Sequence, residues 1–160
     1  MQTPASVARH PVHPMLVVFP LGLLLTAVVF DVITLLTGGP TPRLVAFYLI
    51  AAGVLGALLA AVPGFIDYFS LQGRAGRLAT WHMGLNLAAL AVFLVSFALR
   101  TRWGESWVPP GSSLPQALSI VGAVALIVSG WLGGHLVYVH RVGVEEGPAG
   151  RDELRRRRAA

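Results

Sequence analysis

MLVVFPLGLLLTAVVFDVITLLT, residues 15–37, is a run of 23 positions in which Asp31 is the single charged side chain. A helix rises about 1.5 Å per residue, so roughly 20 residues cross a hydrocarbon core about 30 Å thick. Three more apolar stretches of 19 to 26 residues follow, at residues 44–69, 81–99 and 118–139. The sequence therefore predicts an all-α fold, a bundle of four transmembrane helices in a multi-pass protein of the cell membrane.

The composition indicates that lipid is the solvent of this chain. Hydrophobic residues make up 55% of the 160 positions and charged residues only 12%, whereas soluble domains are about 25% charged. The formal charge of +5 comes from arginines at span ends and in the tail, which favours anionic lipid over nucleic acid as the partner. Cysteine is absent, which excludes disulfides, thiolate metal sites, covalent c-type haem and iron–sulfur clusters held by thiolates of this chain.

The apolar stretches divide the chain into a leader at residues 1–14, a membrane domain at 15–139 and a basic tail at 140–160. The first stretch exceeds the length of a signal-peptide core and has no small-residue cleavage site after it, so we predict that it is retained. Nine of the 12 arginines lie on the side of the termini, and the positive-inside rule therefore places both termini in the cytoplasm. Aromatic anchors are predicted at the outer interface (Trp103, Trp107) and at the inner one (Trp81, Tyr138).

Small residues at a spacing of four predict close helix packing. Gly56, Ala60 and Gly64 form such a series in the second stretch, and Gly130 and Gly134 form a GxxxG pair in the fourth. Close backbone approach at small residues is what holds helices together in lipid, so the pattern predicts a tight bundle and is equally compatible with a homo-oligomer face. No convincing internal repeat is visible, which argues against a transporter built from two halves.

Two carboxylates fall within the apolar stretches, where charged groups are costly. Asp31 is predicted near the outer surface with Arg43 as its partner, and Asp67 near the inner surface with Arg74 or Arg77. A structural role is favoured for both. Because they lie at opposite membrane faces, they cannot act as a catalytic pair, and the sequence gives no support for an enzyme.

The five histidines are predicted to gather at the cytoplasmic end of the bundle. His82 and Asn86 are one helical turn apart, so Asn86 can orient the imidazole. Pro14 and Pro20 are expected to fix the approach of His13 to the same place. Three interpretations stay open: interfacial anchoring, a haem or metal site, and a proton relay. The remaining histidines of this end are His10, His135 and His140.

Several motifs together resemble a bacterial membrane-protein family labelled domain of unknown function 2231. They are HPVHPMLVVFPLGLL (residues 10–24), VFD (29–31), PGFIDY (63–68), HMGLN (82–86) and GWLGGHLVYVHRVGV (130–144). The resemblance implies a four-helix membrane domain without an established activity. It also implies an electron-transfer neighbourhood, because such proteins can be joined to Rieske-type iron–sulfur domains. His13, His82 and His140 fit the family pattern, whereas the position of His135 is usually glutamate in the family.

Two functions of different classes remain. The first is a membrane subunit for electron transfer with one b-type haem or metal, ligated by His82 together with His13 or His140 and assisted by a redox partner such as a Rieske-type protein. Because no histidine lies near the outer face, at most one haem is expected. The alternative is a structural or partner-docking membrane module without a cofactor. A small transporter or channel fits poorly because the spans carry few polar residues.

Overall fold

The computed structural model describes residues 3–101, 112–144 and 156. Within them lie four helices, each long and apolar enough to cross a membrane, which confirms the predicted all-α transmembrane bundle. They are α1 (Val12–Thr37), α2 (Pro40–Tyr68), α3 (Gly73–Arg100) and α4 (Leu114–Tyr138). The predicted outer anchors Trp103 and Trp107, and the tail from residue 145 except Arg156, lie outside the described residues.

The helices extend beyond the apolar stretches that predicted them. α1 begins at Val12, three residues before residue 15, so His13 and Pro14 belong to the helix and not to the leader. α3 begins at Gly73, well before the apolar stretch at residue 81. The physical reason is that helical hydrogen bonds persist into the polar interface, where hydropathy no longer marks the helix. α1 ends at Thr37 and is capped by Gly38, whose φ of 65° is left-handed and whose N–H donates to the Thr34 carbonyl, as in a glycine C-cap.

The leader itself is folded. Ser6–Val7 (β1) pairs antiparallel with His10–Pro11 (β2), and the turn between them has φ of 48° at Ala8 and 67° at Arg9. Positive φ at both central residues is the type I′ arrangement that suits the twist of a two-residue hairpin. The Val12 N–H donates to the Ala5 carbonyl at 3.0 Å, which ties this N-terminal hairpin to the start of α1.

The helices form a ring in chain order. The most extensive contacts pair α1 with α2 and α3 with α4, while smaller contacts between α1 and α4 and between α2 and α3 close the bundle. The core contains Leu24, Ala27, Ile50, Val54 and Phe93. Large apolar side chains such as Leu36, Leu55 and Trp131 are exposed on the outside, where lipid tails solvate them as well as a protein core would.

The small residues predicted to pack the bundle do so in α2 but not in α4. In α2, a methyl group at Gly56 would lie 3.4 Å from the Pro20 ring of α1, and Ala60 is buried, so this series packs the bundle as predicted. In α4, methyl groups at Gly130 and Gly134 would meet nothing within 4 Å. Of the two roles predicted for this GxxxG pair, packing within the four-helix bundle is therefore wrong, because the pair has no neighbouring helix in contact. The homo-oligomer face stays a prediction.

The two helical hairpins α1–α2 and α3–α4 share one pattern of buried positions. The offset between corresponding positions is the 69 residues that separate Asp31 from Arg100. At this offset Leu24 corresponds to Phe93 and Gly53 to Gly122, and each glycine admits the bulky side chain of its own hairpin. The absence of a visible internal repeat in the sequence is thus corrected by the structure. The two hairpins repeat the same buried positions and the same contacts. Many different apolar residues can fill these positions, so the amino acids themselves need not recur.

Candidate two-histidine site

His13 of α1 and His82 of α3 face each other at the end of the bundle that carries the N-terminal hairpin. Their ring centroids are 6.3 Å apart and the ring planes are inclined by 84°. The two histidines come from helices that are diagonal in the ring, so the bundle closes around the pair. The sequence singled out both residues, and the structure brings them together.

The His13 ring is fixed by the backbone of α2. Its Nδ1 lies 2.8 Å from the Ala60 carbonyl oxygen. Since a carbonyl oxygen only accepts, Nδ1 carries the hydrogen and donates, and the lone pair of the neutral ring is at Nε2. Gly64 makes room for the ring, because a methyl group there would lie 2.8 Å from His13 Nδ1.

The His82 ring is held in the same way by α4. Its Nδ1 donates to the Ser129 carbonyl oxygen at 2.8 Å and also lies 3.0 Å from Ser129 Oγ. The Ser129 hydroxyl in turn donates to the His82 carbonyl at 3.1 Å. A methyl group at Gly133 would lie 2.9 Å from His82 Cε1. The Nε2 atom of His82 therefore carries the lone pair, as in His13.

Asn86 contacts the ring that it was predicted to orient. Its Nδ2 donates to His82 Nε2 at 3.1 Å and to the His82 carbonyl oxygen at 3.0 Å. Ser129 was not singled out from the sequence, because a single serine among apolar residues has no distinguishing pattern. From the sequence, Ala60 and Gly64 were singled out only as packing residues. Their contacts with the His13 ring arise because α2 packs against α1.

The other histidines lie in different surroundings. The His140 ring packs against His135, with centroids 5.5 Å apart, and His135 also lies 6.0 Å from the Trp131 ring. His10 is exposed in β2, and its Nδ1 binds the Ala8 carbonyl of its own hairpin. His140 is thus grouped with His135, and the partner that the structure gives His82 is His13.

Asp31 forms a buried ion pair at the opposite end of the bundle. Arg100 Nη1 and Nη2 donate to Asp31 Oδ1 and Oδ2, both at 2.7 Å, and the two side chains are only 6% and 0% exposed. Ser96 and Ser119 also accept from the Arg100 guanidinium. The predicted partner Arg43 is therefore wrong. α1 and α3 run in the same direction and bring Arg100 to the depth of Asp31, whereas Arg43 lies on α2.

Asp67 has a backbone partner in place of the predicted arginine. Its Oδ1 accepts the Ala5 N–H at 2.8 Å, and the side chain is buried. This contact joins the N-terminal hairpin to the end of α2, while Arg74 and Arg77 follow on α3. The structural role predicted for Asp67 thus depends on the folded leader, which the apolar pattern did not reveal.

These features define a multi-pass membrane protein whose bundle is closed by an ion pair at one end and by a histidine pair at the other. The chain belongs to the family described as predicted membrane protein (DUF2231), whose family model matches residues 9–146. No significant match to the chain was found among curated proteins or among solved structures.

Proposed function

We propose that the protein is a membrane subunit for electron transfer in which His13 and His82 ligate one b-type haem. The observation that carries this proposal is the presentation of two imidazoles whose Nδ1 atoms are both bound to backbone carbonyls. Such second contacts set the tautomer and orientation of histidine ligands and leave Nε2 for the iron. The haem, when bound, would supply one-electron transfer.

The spacing of the rings is compatible with a group that both histidines would hold. A nitrogen ligand lies about 2 Å from its metal. With the width of the imidazole added, two rings that held one metal between them would have centroids roughly 6 Å apart. The observed centroid distance is 6.3 Å. His13 and His82 are therefore the residues that would hold the haem.

The number of ligands favours haem over a bare metal ion. Within the described residues no group of three or more histidine, cysteine, aspartate or glutamate side chains is placed to hold a metal ion. A structural zinc site takes four protein ligands, whereas haem brings its own equatorial nitrogens and needs only axial ligands from the protein. A pair of histidines on facing helices of a bundle meets that need.

Asn86 is the residue that would respond to ligation. It donates to His82 Nε2, the atom proposed to bind iron, and would give up that hydrogen bond while keeping the one to the His82 carbonyl. By the arginine bias, this end of the bundle faces the cytoplasm. The redox partner proposed from the family resemblance is a Rieske-type protein.

A structural or partner-docking module without a cofactor is the second candidate. The observation that favours it is the complete hydrogen bonding of His82, which contacts Ser129 through Nδ1 and Asn86 through Nε2. Hydrogen bonds between transmembrane helices contribute about 0.6–2 kcal/mol each. The histidines would then hold α1 to α2 and α3 to α4 and need no further ligand.

A visible spectrum distinguishes the two functions. Protein produced with haem available and purified in detergent is expected to show a Soret band and sharp α and β bands on reduction. His13→Ala and His82→Ala should each abolish the six-coordinate spectrum, while His10→Ala and His140→Ala, as matched histidine controls, should retain it. Size-exclusion profiles establish that each variant is folded. Wild-type protein that is colourless and takes up no added haem would refute the haem site and favour the structural module.

A further inference from the structure

The equivalence of the two helical hairpins extends to their polar contacts. His13 binds the Ala60 carbonyl 47 residues later, and His82 binds the Ser129 carbonyl, also 47 residues later. Gly64 and Gly133 admit the respective rings. Most of the buried residues of α1 and α3 correspond in the same way, as do most of those of α2 and α4. The pairs are Pro20 with Ala89, Leu24 with Phe93, Ala27 with Ser96, Ala46 with Pro115, Ile50 with Ser119, Gly53 with Gly122, Val54 with Ala123, Ala60 with Ser129 and Asp67 with Leu136.

At two places in the bundle, residues at equivalent positions of the two hairpins contact each other. His13 faces His82 at one end, and Asp31 binds Arg100, 69 residues later, at the other. In an arrangement with approximate two-fold symmetry, only positions beside the axis contact their equivalents. The axis therefore runs along the bundle through both contacts. This is the geometry of parallel repeats, whose axis lies along the membrane normal.

We infer that the membrane domain is a fused pair of equivalent hairpins, and that Asp31 and Arg100 make each hairpin specific for the other. Two copies of α1–α2 would bring two Asp31 carboxylates together at the axis, and two copies of α3–α4 would bring together two Arg100 guanidinium groups. Like charges buried together are strongly unfavourable, which rejects these pairings. Only unlike hairpins place opposite charges at the axis, so the interface selects the pairing found within one chain.

The residues around the ion pair also differ between the two hairpins, in a way that suits a carboxylate on one and a guanidinium on the other. Ser96 and Ser119 accept hydrogen bonds from Arg100, and Ser96 and Ser119 also bind each other at 2.9 Å. The equivalent positions on the α1–α2 side are Ala27 and Ile50, which are buried and apolar. The acceptors thus occur only in the hairpin that carries the arginine. This inference does not depend on haem binding.

The equivalence of the two hairpins can be tested in the full-length chain by exchanging the charged residues Asp31 and Arg100, and then the residues around them, between the hairpins. Asp31→Arg alone and Arg100→Asp alone should each lower the thermal midpoint in detergent by about 10 °C, because each leaves like charges buried. The double exchange Asp31→Arg with Arg100→Asp should recover part of this loss. Adding Ala27→Ser, Ile50→Ser, Ser96→Ala and Ser119→Ile should raise the midpoint further, because the serines then surround the transferred arginine.

The matched control moves the serines by one position. It carries Val28→Ser and Ala51→Ser in place of Ala27→Ser and Ile50→Ser, with all the other changes kept, so composition is similar and only the register differs. We expect the control to be less stable than the exchange at equivalent positions. A control that is equally stable, or a double exchange no better than the single reversals, would overturn the inference. Haem content plays no part in this readout, so its outcome is separate from that of the proposed function.

Discussion

At the scale of single residues, glycines decide where the histidine rings lie. Gly64 lets α2 come close to the His13 ring, and Gly133 lets α4 come close to the His82 ring. In each helix, the backbone carbonyl one turn earlier then accepts a hydrogen bond from the imidazole. A larger side chain at either position would occupy the space of the ring. The positions of His13 and His82 thus depend on glycines that carry no functional group, in addition to the polar contacts that His82 makes with Ser129 and Asn86.

We expect Gly133→Ala to displace the His82 ring, because the added methyl group would lie 2.9 Å from Cε1. Overpacking of this kind costs about 1–3 kcal/mol, and the thermal midpoint in detergent should fall accordingly. Gly134→Ala is the matched control on the same helix, since its methyl group would meet nothing within 4 Å and alanine favours the helix. Equal midpoints for the two variants would contradict the assigned contact.

At the scale of elements, the N-terminal hairpin is held to the bundle by its backbone. The Ala5 N–H binds the buried carboxylate of Asp67, and the Ala5 carbonyl accepts from Val12. Thr3, although near the N-terminus, is buried. The C-terminal turn approaches the same element, since a methyl group at Gly143 would lie 3.3 Å from the Pro11 ring. The hairpin therefore covers the end of the bundle near α2.

Asp67→Ala should release this hairpin. Loss of a charge-assisted hydrogen bond costs on the order of 1.5–3 kcal/mol, so opening should become at least about ten-fold more frequent. The measurement is the rate of trypsin cleavage after Arg9 in the folded protein, followed by an N-terminal tag. Ser70→Ala is the control, because Ser70 Oγ binds the Asp67 carbonyl and not the hairpin. Unchanged cleavage in Asp67→Ala would show that the hairpin is held by other contacts.

At the scale of the whole molecule, the four spans place the described N- and C-terminal residues at one end of the bundle. Trp81 and Tyr138 lie at this end and are largely exposed, as interfacial anchors are. Arg9, Arg74, Arg77 and Arg141 belong to the same end by chain order. The cytoplasmic location of this end, predicted from the arginine bias, stays a prediction.

Reporter fusions test this orientation. Fusions after Arg77 and after Ala160 should report the cytoplasm, and fusions after Arg43 and after Arg102 should report the outer side, because nine arginines lie on the first side and three on the second. Paired reporters, one active in each compartment, provide the control at every junction. A reversed pattern would move the histidine pair to the outer face and exclude a cytoplasmic redox partner.

The sequence by itself determined the class of molecule, the number of spans and the family, because hydropathy over 20 residues reports directly on the solvent of a helix. It also selected His13, His82 and Asn86. It could not determine which side chains meet. Arg43 is near Asp31 in the chain, yet Arg100 is its partner, and the ring of His82 depends on Ser129, 47 residues away. These contacts are set by the placement of the helices, with α3 diagonal to α1 and beside α4. The placement of the helices follows from the packing of their apolar faces, and many different sequences can form such faces. The two-fold relation of the hairpins therefore became visible only in the tertiary structure.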